Sequence, residues 1–145
     1  MTETGDGEIG IPPIRLILDA SAICAFGAHE TVGEIIGEFD DEGELFAVTS
    51  ASLAEALARG ADAHLVDVLR TNDNCVVVES TADWRSLGRF MDLTRPGPDR
   101  LHELADSDLT MLAVRTDAYI LTDRPERYTV IVDSVTTIQL EKPWS

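Results

Sequence analysis

Short continuous apolar runs and stretches with a helical apolar period take turns along the chain. Leu16-Ile17-Leu18 is such a run, and Asp19, Ala20 and Ser21 follow it at once. Ala20 to Gly27 is apolar and helix-compatible. From His29 to Glu44, Val32, Ile35, Ile36 and Phe39 fall at i, i+3, i+4 and i+7, the stripe of an amphipathic helix. Phe46-Ala47-Val48-Thr49 reads as a compact strand. Ser50 to Gly60 is a helix rich in Ala and Leu, and residues 61–70 continue in helical register. Val76-Val77-Val78 is a third strand, short and β-branched. Thr81 to Leu93 carries Trp84, Leu87 and Met91 on one helical stripe. Arg95-Pro96-Gly97-Pro98 breaks the chain, and residues 99–116 return to helix. Tyr119-Ile120-Leu121-Thr122 is a fourth strand ending at Asp123, and Val130-Ile131-Val132 a fifth; no element is assigned to the tail beyond. Strands alternating with helices predict a parallel α/β sandwich.

A length of 145 residues suits one domain with its own core. That domain is expected over residues 14–145. The first thirteen, MTETGDGEIGIPP, are polar and Gly-rich and read as a flexible tail. They lack the basic start and apolar stretch of a secretory signal, and no apolar run nears the roughly 20 residues of a membrane span. Cys24 and Cys75 show no metal-ligand spacing, so core thiols in a reducing cytoplasm are expected. No GxGxxG or Walker pattern occurs, which argues against dinucleotide or P-loop nucleotide binding.

Charge changes the picture. Eleven basic against 27 acidic residues give a formal net charge of −16. Broad nonspecific binding to nucleic acid is disfavoured, since it relies on Lys and Arg neutralising phosphates. A basic partner, or carboxylates gathered round a cation, is favoured. Part of the charge is a solvated helix face, with Glu30, Glu34 and Glu38 recurring every four residues.

Several acids stand at related positions. Asp19 ends the first strand, where open α/β sheets place their ligands. Glu55 lies about one turn into the helix after the second strand. Asp106 and Asp108 lie on the helix before the fourth strand, and Asp123 ends that strand. Hard divalent cations take such oxygen ligands, and without a cation the cluster would repel itself. Each acid also has a structural reading. Asp19 or Ser21 could cap the next helix, and Ser52 to Glu55 fits a capping box. One of Asp106 and Asp108 could be mere surface, and Asp123 a turn residue before Pro125.

The words LILDASAI, SLAEAL and ADSDLTMLAVRTDAYILTDRPERY resemble, in this order, the PIN-domain proteins, as found among VapC-type toxins of bacterial toxin–antitoxin pairs. The resemblance runs from Ile14 to about Val132. It implies a three-layer α/β/α sandwich on a small, mainly parallel sheet of four to five strands. It also implies a ribonuclease site in which three or four acids hold Mg²⁺ or Mn²⁺. Asp19 matches the first acid, with Ser21 as its companion hydroxyl, and Glu55 the second. For the third, an ungapped count back from Thr122 gives Asp106, whereas the apolar pattern LTMLAV fits Asp108. The fourth position departs from the family pattern, which has one residue between the threonine and the acid. Here Asp123 follows Thr122 directly and is taken as the fourth acid, with Glu126 as the alternative. Ser21 and Thr122 would orient a ligand or water.

Arg15, Arg124 and Arg127 would meet RNA phosphates near the strand ends, or serve as ordinary surface cations. The implied partners are an RNA substrate, a basic antitoxin protein and a second copy in a homodimer. Two other readings stand beside this one. A PIN-like binding or regulatory module would have a degraded, inactive acidic site. A response-regulator receiver would use a strand-end aspartate and Lys142-Pro143, but the acidic pair expected before that aspartate is missing.

Overall fold

The computed structural model describes residues 13–79 and 83–140. The expected tail up to residue 12, Thr81 at the head of one expected helix, and Lys142-Pro143 lie outside the described residues. Five strands are described: β1 (Ile14–Leu18), β2 (Leu45–Thr49), β3 (Cys75–Val78), β4 (Tyr119–Thr122) and β5 (Thr137–Gln139). They form one sheet in the order β3-β2-β1-β4-β5, and every neighbouring pair is parallel. Seven helices are described: α1 (Ala20–Ala25), α2 (Glu30–Glu42), α3 (Ser50–Ala58), α4 (Ala63–Arg70), α5 (Trp84–Leu93), α6 (Leu104–Thr116) and α7 (Glu126–Thr129).

The period of two along a strand divides the sheet between two cores. Leu16, Leu18, Phe46, Val48 and Leu121 face Ala22, Ile23, Val32, Ile36, Ala56, Val66 and Leu69 of α1 to α4. The alternate residues Ile17, Ala47 and Ile120 face Leu109, Leu112 and Ala113 of α6 and Tyr128 of α7. Helices on both faces make a three-layer α/β/α sandwich of the PIN-like kind. They also explain why β1 reads as a continuous apolar run rather than an alternating one.

The elements depart from the sequence reading in several places. Val130-Ile131-Val132 is no strand: Ile131 and Val132 both donate their N–H to the Tyr128 carbonyl, closing the turn after α7. The fifth strand comes instead from the tail, where Ile120, Leu121 and Thr122 pair with Thr137, Ile138 and Gln139. Residues 61–70 are not a continuation of α3. Gly60 takes a left-handed φ of 99°, and Asp62 starts a new helix by accepting from the N–H groups of His64 and Leu65. Helix α6 begins only at Leu104, because residues 99–103 run on irregularly from Pro98. The stripe expected on α5 is not a core stripe. No α5 residue is buried, Trp84 is 74% exposed, and the helix packs on α6 rather than on the sheet.

One glycine is fixed by its surroundings. Gly27, in the turn between α1 and α2, has φ 83°, and a Cβ there would lie 2.6 Å from Leu65 Cδ1 of α4. Only a residue without a side chain suits both the conformation and the contact.

Candidate functional site

The strand order reverses between β1 and β4, and ligands of open α/β sheets bind beyond the carboxyl ends at such a switch point. Asp19 stands there, directly after β1, and its N–H reaches the Leu121 carbonyl of β4 at 3.3 Å. Its Oδ1 caps α1 by accepting from the Ala22 N–H at 3.0 Å and also accepts from the Ser21 hydroxyl at 2.6 Å. Its Oδ2 accepts from the Tyr128 hydroxyl at 2.7 Å. The capping reading is therefore true of Asp19, and both of its oxygens are engaged. Ser21 in turn accepts the Asp123 N–H at 3.0 Å, which ties the ends of β1 and β4 together. Thr122 folds back on its own loop, accepting the Arg124 N–H at 3.0 Å.

Glu55 is not part of a capping box. The cap of α3 is Thr49, whose hydroxyl accepts the Ser52 N–H at 3.1 Å and donates to Ser52 Oγ at 2.9 Å. Glu55 is left to reach outward, where Arg59, one turn on, hydrogen-bonds to it. Its second partner is Arg127, whose Nη2 lies 3.2 Å from both carboxylate oxygens. The Nε of Arg127 donates to Asp106 Oδ2 at 3.0 Å, and the Glu103 carboxylate lies 3.9 Å from Nη2. Side-chain exposure falls from 29% at Glu55 to 18% at Arg127 and 12% at Asp106, so the guanidinium sits between two sheltered acids.

Burial pushes the Asp106 carboxyl above its usual range, against the pull of Arg127. Burial alone would lower the pKa of Arg127, but Asp106, Tyr128 and Glu55 together raise it, so the guanidinium stays charged. The Tyr128 hydroxyl is held protonated by burial and by the charge and hydrogen bond of Asp19. The thiol of Cys75 is pushed up to about 11 by burial. Cys24 is raised for the same reason, with Asp19, Glu55 and Asp123 adding to it against Arg59. Both cysteines are free, half-buried thiols.

Two clefts flank this group. One is lined by Glu55, Arg59, His102, Asp106, Arg124 and Arg127, among others. The second is lined by Ser21, Cys24, Ala25, His29, Arg59 and Asp123. Thus Asp19, Glu55 and Asp106 converge on the consecutive residues Arg127 and Tyr128, while Asp123 lines the neighbouring cleft. Asp108 is buried on α6 and does not line the cleft of Glu55 and Asp106. Glu126 is exposed in the first turn of α7. Arg15 is a correction: it pairs with Glu44 at 3.2 Å at the start of β1, the end of the strand opposite Asp19.

Sequence reasoning missed Arg59, His102 and Tyr128. Arg59 was legible as the i+4 partner of Glu55. Tyr128 was not, because no local period announces a side chain that bonds to a residue 109 positions away.

Glu55 and Asp106 form an all-oxygen pair. Mg²⁺ binds through one or two carboxylates plus waters and phosphate oxygens, so this donor set fits it, and Mn²⁺ likewise takes oxygen ligands. Among the described residues, no group of three or more His, Cys, Asp or Glu side chains is arranged to hold a metal ion. The contacts account for that: Asp19 is turned to Ser21, Ala22 and Tyr128, and Arg127 lies between the other two acids.

No protein-family model and no curated protein sequence matches the chain. Solved structures do. PAE2754 from Pyrobaculum aerophilum is 16% identical, with a TM-score of 0.54 over 86% of this chain and 90% of that one. FitAB, solved bound to an IR36 DNA fragment, is 12% identical, with a TM-score of 0.51 over 88% of this chain and 99% of that one. At these identities the likeness is one of fold, and it supports the PIN-like architecture.

Proposed function

We propose that the protein is a metal-dependent endoribonuclease with a PIN-like fold, acting as the toxin of a toxin–antitoxin pair. The observation that carries this reading is that Glu55 and Asp106 meet on Arg127 while Asp19, at the β1–β4 switch point, meets the next residue, Tyr128. Glu55 and Asp106 would hold Mg²⁺ or Mn²⁺. Such an ion, when bound, supplies an activated water and neutralises charge on the phosphodiester. Asp19 acts on the neighbouring groups: it fixes the start of α1 and holds the Tyr128 phenol, which sets the position of Arg127. Arg59 and Arg124 line the cleft and would meet backbone phosphates, confining RNA contact to one patch of an acidic protein. The net charge of −16 favours a basic antitoxin segment as partner, docking by charge. The likeness to FitAB, solved with a DNA fragment, supports a role linked to nucleic acid. Among the described residues no helix is long and apolar enough to cross a membrane.

The test is cleavage of structured and single-stranded RNA in Mg²⁺, Mn²⁺ or EDTA. Glu55→Gln is the main control, because Glu55 is part-exposed and packs in neither core. Asp19→Asn is added with a check of fold by circular dichroism, since Asp19 is also a cap. The expected result is metal-dependent cleavage that falls by about two orders of magnitude in Glu55→Gln, as when transition-state stabilisation of about 2.7 kcal/mol is lost. Equal cleavage by that variant sinks the assignment.

A second reading is a PIN-like binding or regulatory module whose acidic site is inactive. It is favoured by the arginine and the phenol that already satisfy the acids. Saturable RNA binding with no cleavage under any metal would select it.

A further inference from the structure

The position of one guanidinium carries an inference about how the acidic pair is kept. We infer that Arg127 is the resident counter-ion of Glu55 and Asp106, and that a divalent cation can bind these acids only by displacing it. The chain then sets its own metal affinity. This rests on the metal reading above, in that it takes a divalent ion as the ligand.

The two acids share one planar group. Arg127 Nε lies 3.0 Å from Asp106 Oδ2, and Nη2 lies 3.2 Å from both oxygens of Glu55. Glu55 and Asp106 would hold a small hard cation through the same oxygens that now accept from the guanidinium. Two positive groups held in one sheltered pocket would also repel each other. Arrival of the metal and departure of Arg127 are therefore one event.

The backbone under Arg127 is not free to carry it away. Helix α7 is a single turn, and the next residue, Tyr128, is 1% exposed and bonded to Asp19. Movement has to come from the side chain, which is part-exposed to the cleft. A landing partner stands beside it, because the Glu103 carboxylate is 3.9 Å from Nη2 and its side chain is 78% exposed. An outward swing would exchange Asp106 and Glu55 for Glu103 without leaving the guanidinium unpaired. Glu103 is thus the residue that makes displacement feasible.

The experiment is a Mn²⁺ titration of the full chain, followed by electron paramagnetic resonance of free Mn²⁺ and by calorimetry. It compares wild type with Arg127→Gln, Arg127→Lys and Glu103→Gln, and thermal melts with and without Mn²⁺ are recorded alongside. Arg127→Gln should bind Mn²⁺ tighter by about tenfold or more, within the usual span of coupling between two ligands. Its melting temperature should rise with Mn²⁺ by more than that of wild type. Arg127→Lys, which keeps the charge and folds if the uncharged variant does not, should stay near wild type. Glu103→Gln should bind Mn²⁺ more weakly. Adding Glu55→Gln to Arg127→Gln should abolish the gain. Equal affinity in wild type and Arg127→Gln overturns the inference and leaves a metal site standing. Absence of saturable binding in both overturns the inference and the metal reading together.

Discussion

Tyr128 donates its hydroxyl to Asp19 Oδ2 at 2.7 Å, across 109 residues of sequence. The acceptor is a carboxylate with 1% exposure, so Tyr128→Phe removes a donor from a place where water does not replace it. A hydrogen bond to a charged group contributes about 1.5–3 kcal/mol. Thermal melts should show the variant less stable by that amount, a fall of roughly 5–10 °C for a chain of this size. An unchanged melting temperature would mean the bond is idle. At this scale the sequence was half legible. Asp19 announced itself by ending an apolar run, and Glu55 and Asp106 by their place in the words around them. Arg127 was visible as a cation near a strand end, but its partners were not. Which carboxylates a guanidinium meets depends on how α3, α6 and α7 pack, and no spacing in the chain encodes that.

Helix α3 shows how an element can be read correctly and its boundary chemistry misread. Ser52-Leu53-Ala54-Glu55 has the form of a capping box, yet the helix starts two residues earlier and Thr49 does the capping. Thr49→Val keeps the shape and loses the hydroxyl, so it should cost about 1–2 kcal/mol, as removal of a cap does. Urea unfolding should show this as a lower midpoint with an unchanged slope. A loss well below 0.5 kcal/mol would return the cap to Ser52. Four of the five strands were legible because a sheet covered on both faces demands unbroken apolar runs. The fifth was misplaced: Val130-Ile131-Val132 has more β-branched character than Thr137-Ile138-Gln139, but its N–H groups are spent on the turn after α7. Propensity lost to the demands of the chain's path. Trp84 lies in the helix read from the sequence yet is 74% exposed, since an apolar stripe gives the orientation of a helix but not what covers it.

Across the molecule, charge is distributed unevenly. Arg59, Arg124 and Arg127 share one cleft with Glu55, Asp106 and Glu103, which leaves that region close to neutral. The excess lies elsewhere, as on α2, where Glu30, Glu34 and Glu38 are exposed and repeat every four residues with no Lys or Arg in the helix. Like charges at that spacing destabilise a helix. Raising salt from roughly 0.01 M to 0.15 M shortens the screening length from about 30 Å to 8 Å. The melting temperature should therefore rise with added NaCl; a fall would mean that ion pairs such as those of Arg127, rather than repulsion, dominate.

The parallel sheet has a consequence in time. Its central strand, β1, is made before its neighbour β4, which spans Tyr119–Thr122, and the phenol that meets Asp19 comes later still. At a synthesis rate of about 5–20 residues per second, the 109 residues between Asp19 and Tyr128 take about 5–20 s to add. Glu55 joins Asp19 during that interval, while the emerging chain still lacks Arg127 and Tyr128. The cleft lined by Glu55, Asp106 and Arg127 therefore cannot be completed until Arg127 and Tyr128 have been added.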